Sequence, residues 1–261
     1  MLILQKDFHN WTSDNSDIDE FIKQTQLNTE TFKDIIEWIP FNQFTNIKYL
    51  AKGGFGTVFK AVWTDGFING YIHEYWSNKW PRNGKTDVCL KGLDSSKDIK
   101  QEFLNEIKNQ HEHGGSSGIK IYGITKNPND DNYMIVMQYA KQGSLRKLLD
   151  SKYNDSYITD FGLCKPVSQD SSSDEVYGVL PYIDPVVLYK EGKEYTQKLD
   201  IYSFGIIMSE VFTGYPPYHN IPHDFSLVTQ ICLGCRPEIN CKVPQLLLDL
   251  MNKCLDAEPQ N

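Results

Sequence analysis

Tyr157-Ile158-Thr159-Asp160-Phe161-Gly162-Leu163 is a short apolar run of β-type residues that closes on Asp-Phe-Gly. Alone, Asp-x-Gly is a common turn. Its weight comes from what stands upstream in a fixed order. First is Ala51-Lys52-Gly53-Gly54-Phe55-Gly56-Thr57-Val58, then Val88-Cys89-Leu90-Lys91. Phe103-Leu104-Asn105-Glu106-Ile107 follows on a predicted helix over 98–110. Glycine lets a tight hairpin bring backbone N–H groups against phosphate oxygens. Read without that chemistry, Gly53, Gly54 and Gly56 are an ordinary glycine-rich turn. Lys91 and Glu106 are opposite charges that suit each other as a buried pair, since an ammonium drawn inside needs a counter-charge. The plainer reading is a solvated lysine and a surface glutamate.

The bulk composition bounds the setting. The chain has 261 residues, 40% hydrophobic and 23% charged, enough to bury a core as one two-lobed unit or two small domains. A net charge of −8 and a pI near 5.3 argue against nucleic acid or an anionic membrane as the main partner. Met1-Leu2-Ile3-Leu4 is too short an apolar start for a signal peptide, and no run approaches the roughly 18 apolar residues of a membrane helix. The expectation is an intracellular, cytoplasmic protein with its six cysteines reduced. Cys232-x-x-Cys235 with Cys241 and Cys254 fits no standard zinc spacing and has no histidine in register. These read as half-buried thiols between two helices.

Two helical patterns fill residues 1–40. Asp17 is placed to cap a short helix through Lys23, with Glu20 at the capping-box position. Asn28 is placed to cap a second, on which Phe32, Ile35, Ile36 and Ile39 form one apolar face before Pro40 stops it. This reads as an extension packed on the first lobe, with a partner-binding arm as the alternative. Residues 44–63 read as a β-hairpin, and 64–87 as a long surface hairpin or loop with Gly66, Gly70, Pro81 and Gly84. Strands are expected at 85–91, 119–125 and 133–139. After Asp160 the chain turns helical. Residues 199–212 put Ile201, Phe204, Met208 and Val211 on one face, which predicts a buried helix ended by Gly214 and Pro216-Pro217. A further helix is expected over 246–255.

Taken together, these stretches resemble the eukaryotic protein kinase domain, most of all its tyrosine-kinase-like branch, over residues 41–261. The fold this implies is α+β and two-lobed, with a β-rich N-lobe carrying one helix and a mostly helical, truncated C-lobe. The implied organisation is a helical extension at 1–40, N-lobe and hinge at 41–140, and an incomplete C-lobe at 141–261. The resemblance implies ATP and Mg as cofactors and a protein substrate or signalling partner. Ala51, Gly53, Gly54, Phe55, Gly56 and Val58 match its glycine-rich loop, with Ala51 where the family has its first glycine. Val58 and Cys89 would cover the adenine. Lys91 matches the strand lysine on the α- and β-phosphates and Glu106 its helix partner. Met137 stands at the gatekeeper position, and the backbones of Gln138 and Ala140 would read the adenine edge. Asp160 matches the magnesium ligand. Ser171, Ser172, Ser173 and Tyr177 fall in the activation-segment region, as modifiable hydroxyls or simply a solvated loop.

The chain departs from the family at one decisive place. No His-Arg-Asp string with its downstream Asn occurs, so no catalytic base is assigned. From Ala140 to Asp160 is 20 residues, where the family needs on the order of sixty. Asp150, Asn154 and Asp155 stand too close to Asp160 to fill that role. Asp200 would lose its catalytic-loop partners and should shift toward solvent or protonate. Val186 replaces the Ala-Pro-Glu glutamate, which leaves Arg236 without its usual carboxylate, and the final helix is absent. Three readings stay open: a working kinase, a non-catalytic homologue that binds or scaffolds, and a mis-spliced copy of an active kinase.

Overall fold

The computed structural model describes residues 11–29, 31–53, 56–70, 80–92, 101–113, 118–141, 178–189 and 196–256. They belong to two compact units, one built from the residues up to 141 and one from 178 onward. The architecture is α+β and kinase-like.

Among the described residues the first unit is a six-stranded sheet with two α-helices. In chain order the elements are α1 (Ser16–Asn28), β1 (Glu37–Trp38), β2 (Phe44–Gly53), β3 (Gly56–Trp63), β4 (Thr86–Gly92), α2 (Gln101–His113), β5 (Ile121–Lys126) and β6 (Tyr133–Gln138). The strand order is β1-β5-β6-β4-β3-β2. Every pair is antiparallel except β1 on β5. Side chains alternate across a strand, so β6 splits its residues between two cores. Tyr133, Ile135 and Met137 join Ile18 and Ile22 of α1 and Phe103, Leu104 and Ile107 of α2. Met134 and Val136 face the other way, into Trp63, Val88, Leu90 and Tyr122. A strand buried on both faces reads as a continuous apolar run, which β6 is.

Residues 29–39 correct the expected second helix. Only a 3-10 turn forms at Phe32–Asp34, followed by strand β1. β-Branched Ile35, Ile36 and Ile39 lose rotamer freedom in a helix, and the open edge of β5 offers backbone partners instead. Ile39 N–H donates to the Ile124 carbonyl at 2.9 Å, and Ile36 and Ile39 enter the two different cores. α1 is also corrected. Its cap is Asn15, whose side chain accepts from the N–H groups of Asp17 and Ile18, and it runs on to Asn28. Asp17 lies in the first turn, and the carboxylate that reaches back is Asp19, accepting from Ser13 N–H at 2.8 Å.

The described parts of 64–87 form the base of a hairpin, with Ile68 bridged to Arg82 and Asn69 N–H donating to the Pro81 carbonyl at 2.8 Å. It is pinned to the sheet. Phe67 stacks on Tyr122 with ring centroids 5.1 Å apart, and Arg82 meets the Glu37 carboxylate through both terminal nitrogens. Burial pushes the Glu37 carboxyl above its usual range, and the Arg82 charge opposes this without overcoming it.

The second unit is helical: α3 (Pro185–Tyr189), α4 (Gln197–Thr213), α5 (Phe225–Cys232) and α6 (Gln245–Cys254). Gly214, at φ 74°, ends α4 in the left-handed conformation that glycine adopts freely. α4 packs on α6 through Tyr202, Ile206, Met208, Met251 and Leu255. The expected buried face of α4 is corrected here. Met208 is buried, but Ile201, Phe204 and Val211 are 47%, 53% and 42% exposed. Apolar residues fall on every side of the helix, among polar ones, so periodicity does not tell which side meets α6. That side is set by Gly205, where a Cβ would stand 2.8 Å from Cβ of Cys254 and from Leu255.

Candidate functional site

The strand registers gather the candidate residues on one face of the first sheet. Cross-strand partners project to the same side. Ala51 faces Val58, Val58 faces Lys91, and Lys91 faces Ile135. Two residues along β4, Cys89 lies between Lys60 and Met137. Ala51, Val58, Cys89, Lys91 and Met137 therefore make one surface across β2, β3, β4 and β6. Gly53 and Gly56 pair at the mouth of the β2–β3 turn, and Gly56 holds φ 127°, which a side chain would strain. Gly54 and Phe55 lie outside the described residues, as does Asp160 with the whole 157–163 stretch and the 171–177 hydroxyls.

α2 delivers the acid. Phe103, Leu104 and Ile107 are buried, and that apolar stripe turns Glu106 inward with it. Lys91 Nζ lies 2.7 Å from Glu106 Oε1, with the two side chains 12% and 5% exposed. The ammonium is thus held over the face that carries Val58 and Cys89, fixed by a charge-assisted hydrogen bond. Burial pushes the Cys89 thiol up to about 11, against the pull of the Lys91 charge, so at neutral pH it is a neutral, apolar lining group.

At the end of β6 the Gln138 N–H donates to the Lys120 carbonyl at 2.8 Å. That donor is therefore committed within the protein. Tyr139 turns its ring to Lys60, 4.5 Å from Nζ, and Ala140 follows, half-buried and beyond the last strand pair. Lys60 and Tyr139 escaped the sequence reading. The alternation of 57–63 does put Lys60 on the same face as Val58, which was the available signal.

In the second unit, Asp200 is exposed in the first turn of α4, which is the solvent-ward outcome expected of it. Arg236 is a correction. Instead of an orphaned guanidinium, it donates to the carbonyls of Leu255 at 2.8 Å, Ile231 at 3.0 Å and Cys235 at 2.9 Å, and lies 5.3 Å from the Tyr202 ring. Backbone acceptors leave no mark in a sequence. Burial pushes the nearby Asp184 carboxyl up, countered by the Val186 N–H and the Arg236 charge. The cysteines are also spread wider than expected: Cys235 and Cys254 are half-buried, and Cys232 and Cys241 exposed. Among the described residues no group of three or more His, Cys, Asp or Glu is arranged to hold a metal, and no helix is long and apolar enough to cross a membrane.

Comparison with known proteins places this geometry. The family model for protein tyrosine and serine/threonine kinases matches residues 44–158, and the protein kinase domain model matches 148–261. The chain is 24% identical to receptor-interacting serine/threonine-protein kinase 4 of Mus musculus, over 84% of this chain and 32% of that protein. It is 27% identical to calmodulin-binding receptor-like cytoplasmic kinase 1 of Arabidopsis thaliana, over 67% of this chain and 43% of the relative. A probable serine/threonine-protein kinase of Dictyostelium discoideum is 36% identical over 44% of this chain and 10% of its own length. The chain spans about a third of the length of the mouse relative. That match runs over 271 positions yet takes in 84% of this chain, about 219 of its 261 residues, so roughly fifty positions have no residue of this chain opposite them. Two protein kinase models, overlapping at 148–158, together span residues 44–261, and the chain carries a protein kinase domain.

Proposed function

We propose that this chain is a nucleotide-binding member of the family that does not transfer phosphate: a non-catalytic module of the tyrosine-kinase-like branch, acting through protein contacts. The observation that carries the nucleotide half is the buried Lys91–Glu106 pair at 2.7 Å, aligned with Val58, Cys89 and Met137 on one sheet face. These residues fit a nucleotide. Val58 and Cys89 offer an apolar cover for a base, the Gln138 carbonyl and the Ala140 backbone offer its polar edge, and Lys91 offers a positioned cation for the α- and β-phosphates. Gly53 and Gly56 leave room for a phosphate-bearing ligand near the turn. Asp160 is the residue for Mg, supplying a hard carboxylate oxygen. Bound Mg-ATP would supply a transferable phosphoryl group.

The other half rests on what would have to move a proton. Family catalysis positions an acceptor hydroxyl against an aspartate base with an asparagine on the second metal. No His-Arg-Asp with its Asn occurs in the sequence. The two family models change over at 148–158, inside the short interval from Ala140 to Asp160. An intracellular, cytoplasmic site suits a protein that uses ATP and carries free thiols.

The test is a thermal melt of purified protein with millimolar Mg-ATP, beside a phosphate-transfer assay on generic protein substrates. A raised midpoint that Lys91→Met abolishes, with no transfer, is the expected result. No shift removes nucleotide from the account; transfer that depends on Lys91 and Asp160 would overturn the non-catalytic reading.

A second reading is favoured by the abruptness of the shortfall. Gly143-Ser144-Leu145 and Asp160-Phe161-Gly162 are intact on either side of it. Such flanks fit an excised segment, with an active kinase as the parent. Sequencing the transcript across the codons for 147–157 separates the two: a dominant longer product encoding His-Arg-Asp supports the parent kinase.

A further inference from the structure

We infer that residues 11–39 are a built-in positioning element for Glu106, which hold helix α2 against the sheet so that the carboxylate stays on Lys91. Four observations place them there. Ile18 and Ile22 of α1 are fully buried in the same core as Phe103, Leu104 and Ile107, the residues that flank Glu106 on α2. The last turn of α2 is tied to the extension directly, because His111 Nε2 donates to the Asp34 carbonyl at 2.7 Å. The extension is also anchored on the sheet. β1 pairs with β5, and the Tyr133 hydroxyl on β6 donates to the Ser13 carbonyl at 3.1 Å. Its two halves are joined inside by Gln26 Nε2, which donates to the Ile36 carbonyl at 2.7 Å.

The arrangement is a strap fastened at both ends to strands, with the glutamate-bearing helix beneath it. Gln110 Nε2 of α2 also donates to the Ile119 carbonyl at 2.8 Å. That tie lies one turn beyond Glu106 and does not cover Leu104 or Ile107. Ile18 and Ile22 do. Loosening α1 therefore exposes part of the apolar face of α2, and the helix gains freedom to rotate or shift, carrying Glu106 off Lys91. The population of paired Lys91 then follows the docking of α1. Anything that competes for residues 11–28, or modifies them, would act on the Lys91–Glu106 pair through this coupling. The consequence for nucleotide affinity rests on the reading given above; the coupling itself does not.

The experiment is therefore read on Lys91 without nucleotide. The full chain and three variants, Ile22→Ala, Asn15→Ala and His111→Phe, are treated with an N-hydroxysuccinimide acetate, and acetylation at each lysine is timed by mass spectrometry. A lysine held in a buried ion pair acylates slowly. Lys60, in the same sheet and paired with Asp87 at 2.7 Å, is the internal reference. Hydrogen exchange over residues 16–28 reports whether α1 has loosened. The expected result is that variants with faster α1 exchange acetylate Lys91 roughly fivefold faster or more, with Lys60 unchanged. Faster α1 exchange with Lys91 unaltered overturns the inference. So does a parallel rise of Lys60 and Lys91 in all three variants, which would make the extension a support of the whole sheet. If the Lys91 response holds while Mg-ATP fails to bind, the coupling stands and the nucleotide reading falls.

Discussion

Gly123 on β5 lies so close under Glu37 on β1 that a Cβ there would overlap the Glu37 carbonyl oxygen and stand 2.9 Å from the Ile39 side chain. The parallel pair exists because this position carries no side chain. Gly123→Ala forces β1 off the edge of β5 or strains both, and overpacking of this kind destabilises by about 1–3 kcal/mol. A fall in melting midpoint, with loss of hydrogen-exchange protection at Ile39, is the expected outcome. An unchanged midpoint would mean the β1–β5 contact is looser than described.

Gly205 does the same for the second unit. Its Cα faces Cys254 and Leu255 across the α4–α6 contact. Gly205→Ala should destabilise that unit by about 1–3 kcal/mol, although alanine is the better helix former. Denaturant unfolding measures which effect prevails; a more stable variant would mean that α6 moves aside freely.

Breaking the Lys91–Glu106 pair on one side should be worse than removing it whole. Losing one partner of a buried ion pair typically destabilises by about 3–5 kcal/mol, whereas replacement of both by apolar groups is often close to neutral. Glu106→Leu alone should therefore unfold at lower urea than Lys91→Met with Glu106→Leu together. Equal midpoints would mean that the Lys91 ammonium escapes to solvent once Glu106 is gone.

Cys89 should alkylate slowly at neutral pH, and its rate should keep rising tenfold per pH unit to about 11, where burial has pushed the thiol. The exposed Cys241 is the accessible thiol for comparison in the same experiment. Because the folded protein favours the neutral thiol, stability linked to Cys89 is intact below the ordinary thiol range and declines as pH rises through the raised value. Iodoacetamide labelling followed by mass spectrometry gives both curves; coincident profiles would contradict the burial.

Asp19 sets an acid limit on α1. Burial raises its carboxyl, but donors from Ser13 and Thr12 outweigh that and leave it below the usual carboxylate range. A lowered value means stability that is full above the ordinary range and lost as pH falls through the folded one. Hydrogen exchange of α1 should therefore quicken under strongly acid conditions, and Asp19→Asn should remove that pH dependence. The same pH dependence in Asp19→Asn would assign it to another group.

Most of the first unit was legible because its signals are local. Alternation gave the strands, and the Lys91 and Glu106 segments stood far enough apart for a strand and a helix to bring them together. What failed was decided by distant partners. Ile35, Ile36 and Ile39 fit a helical stripe as well as an extended one, and only Gly123, more than eighty residues on, favours the strand. For α4, apolar residues spread over every side of the helix give no direction, and the side that packs follows from one glycine opposite Cys254. Arg236 was read as missing a carboxylate because a sequence displays acids but not free carbonyls.

The uncovered side of α4 bears on how long the protein lasts. Ile201, Phe204, Ile207 and Val211 form a ridge of aliphatic and aromatic groups open to water, with Leu246 and Leu250 exposed on α6 in the same unit. Quality-control machinery selects its clients by surface of this kind. Turnover should then weigh on its abundance in the cell, and a proteasome inhibitor should raise the level of this protein more than that of a variant with Ile201, Phe204 and Val211 made polar.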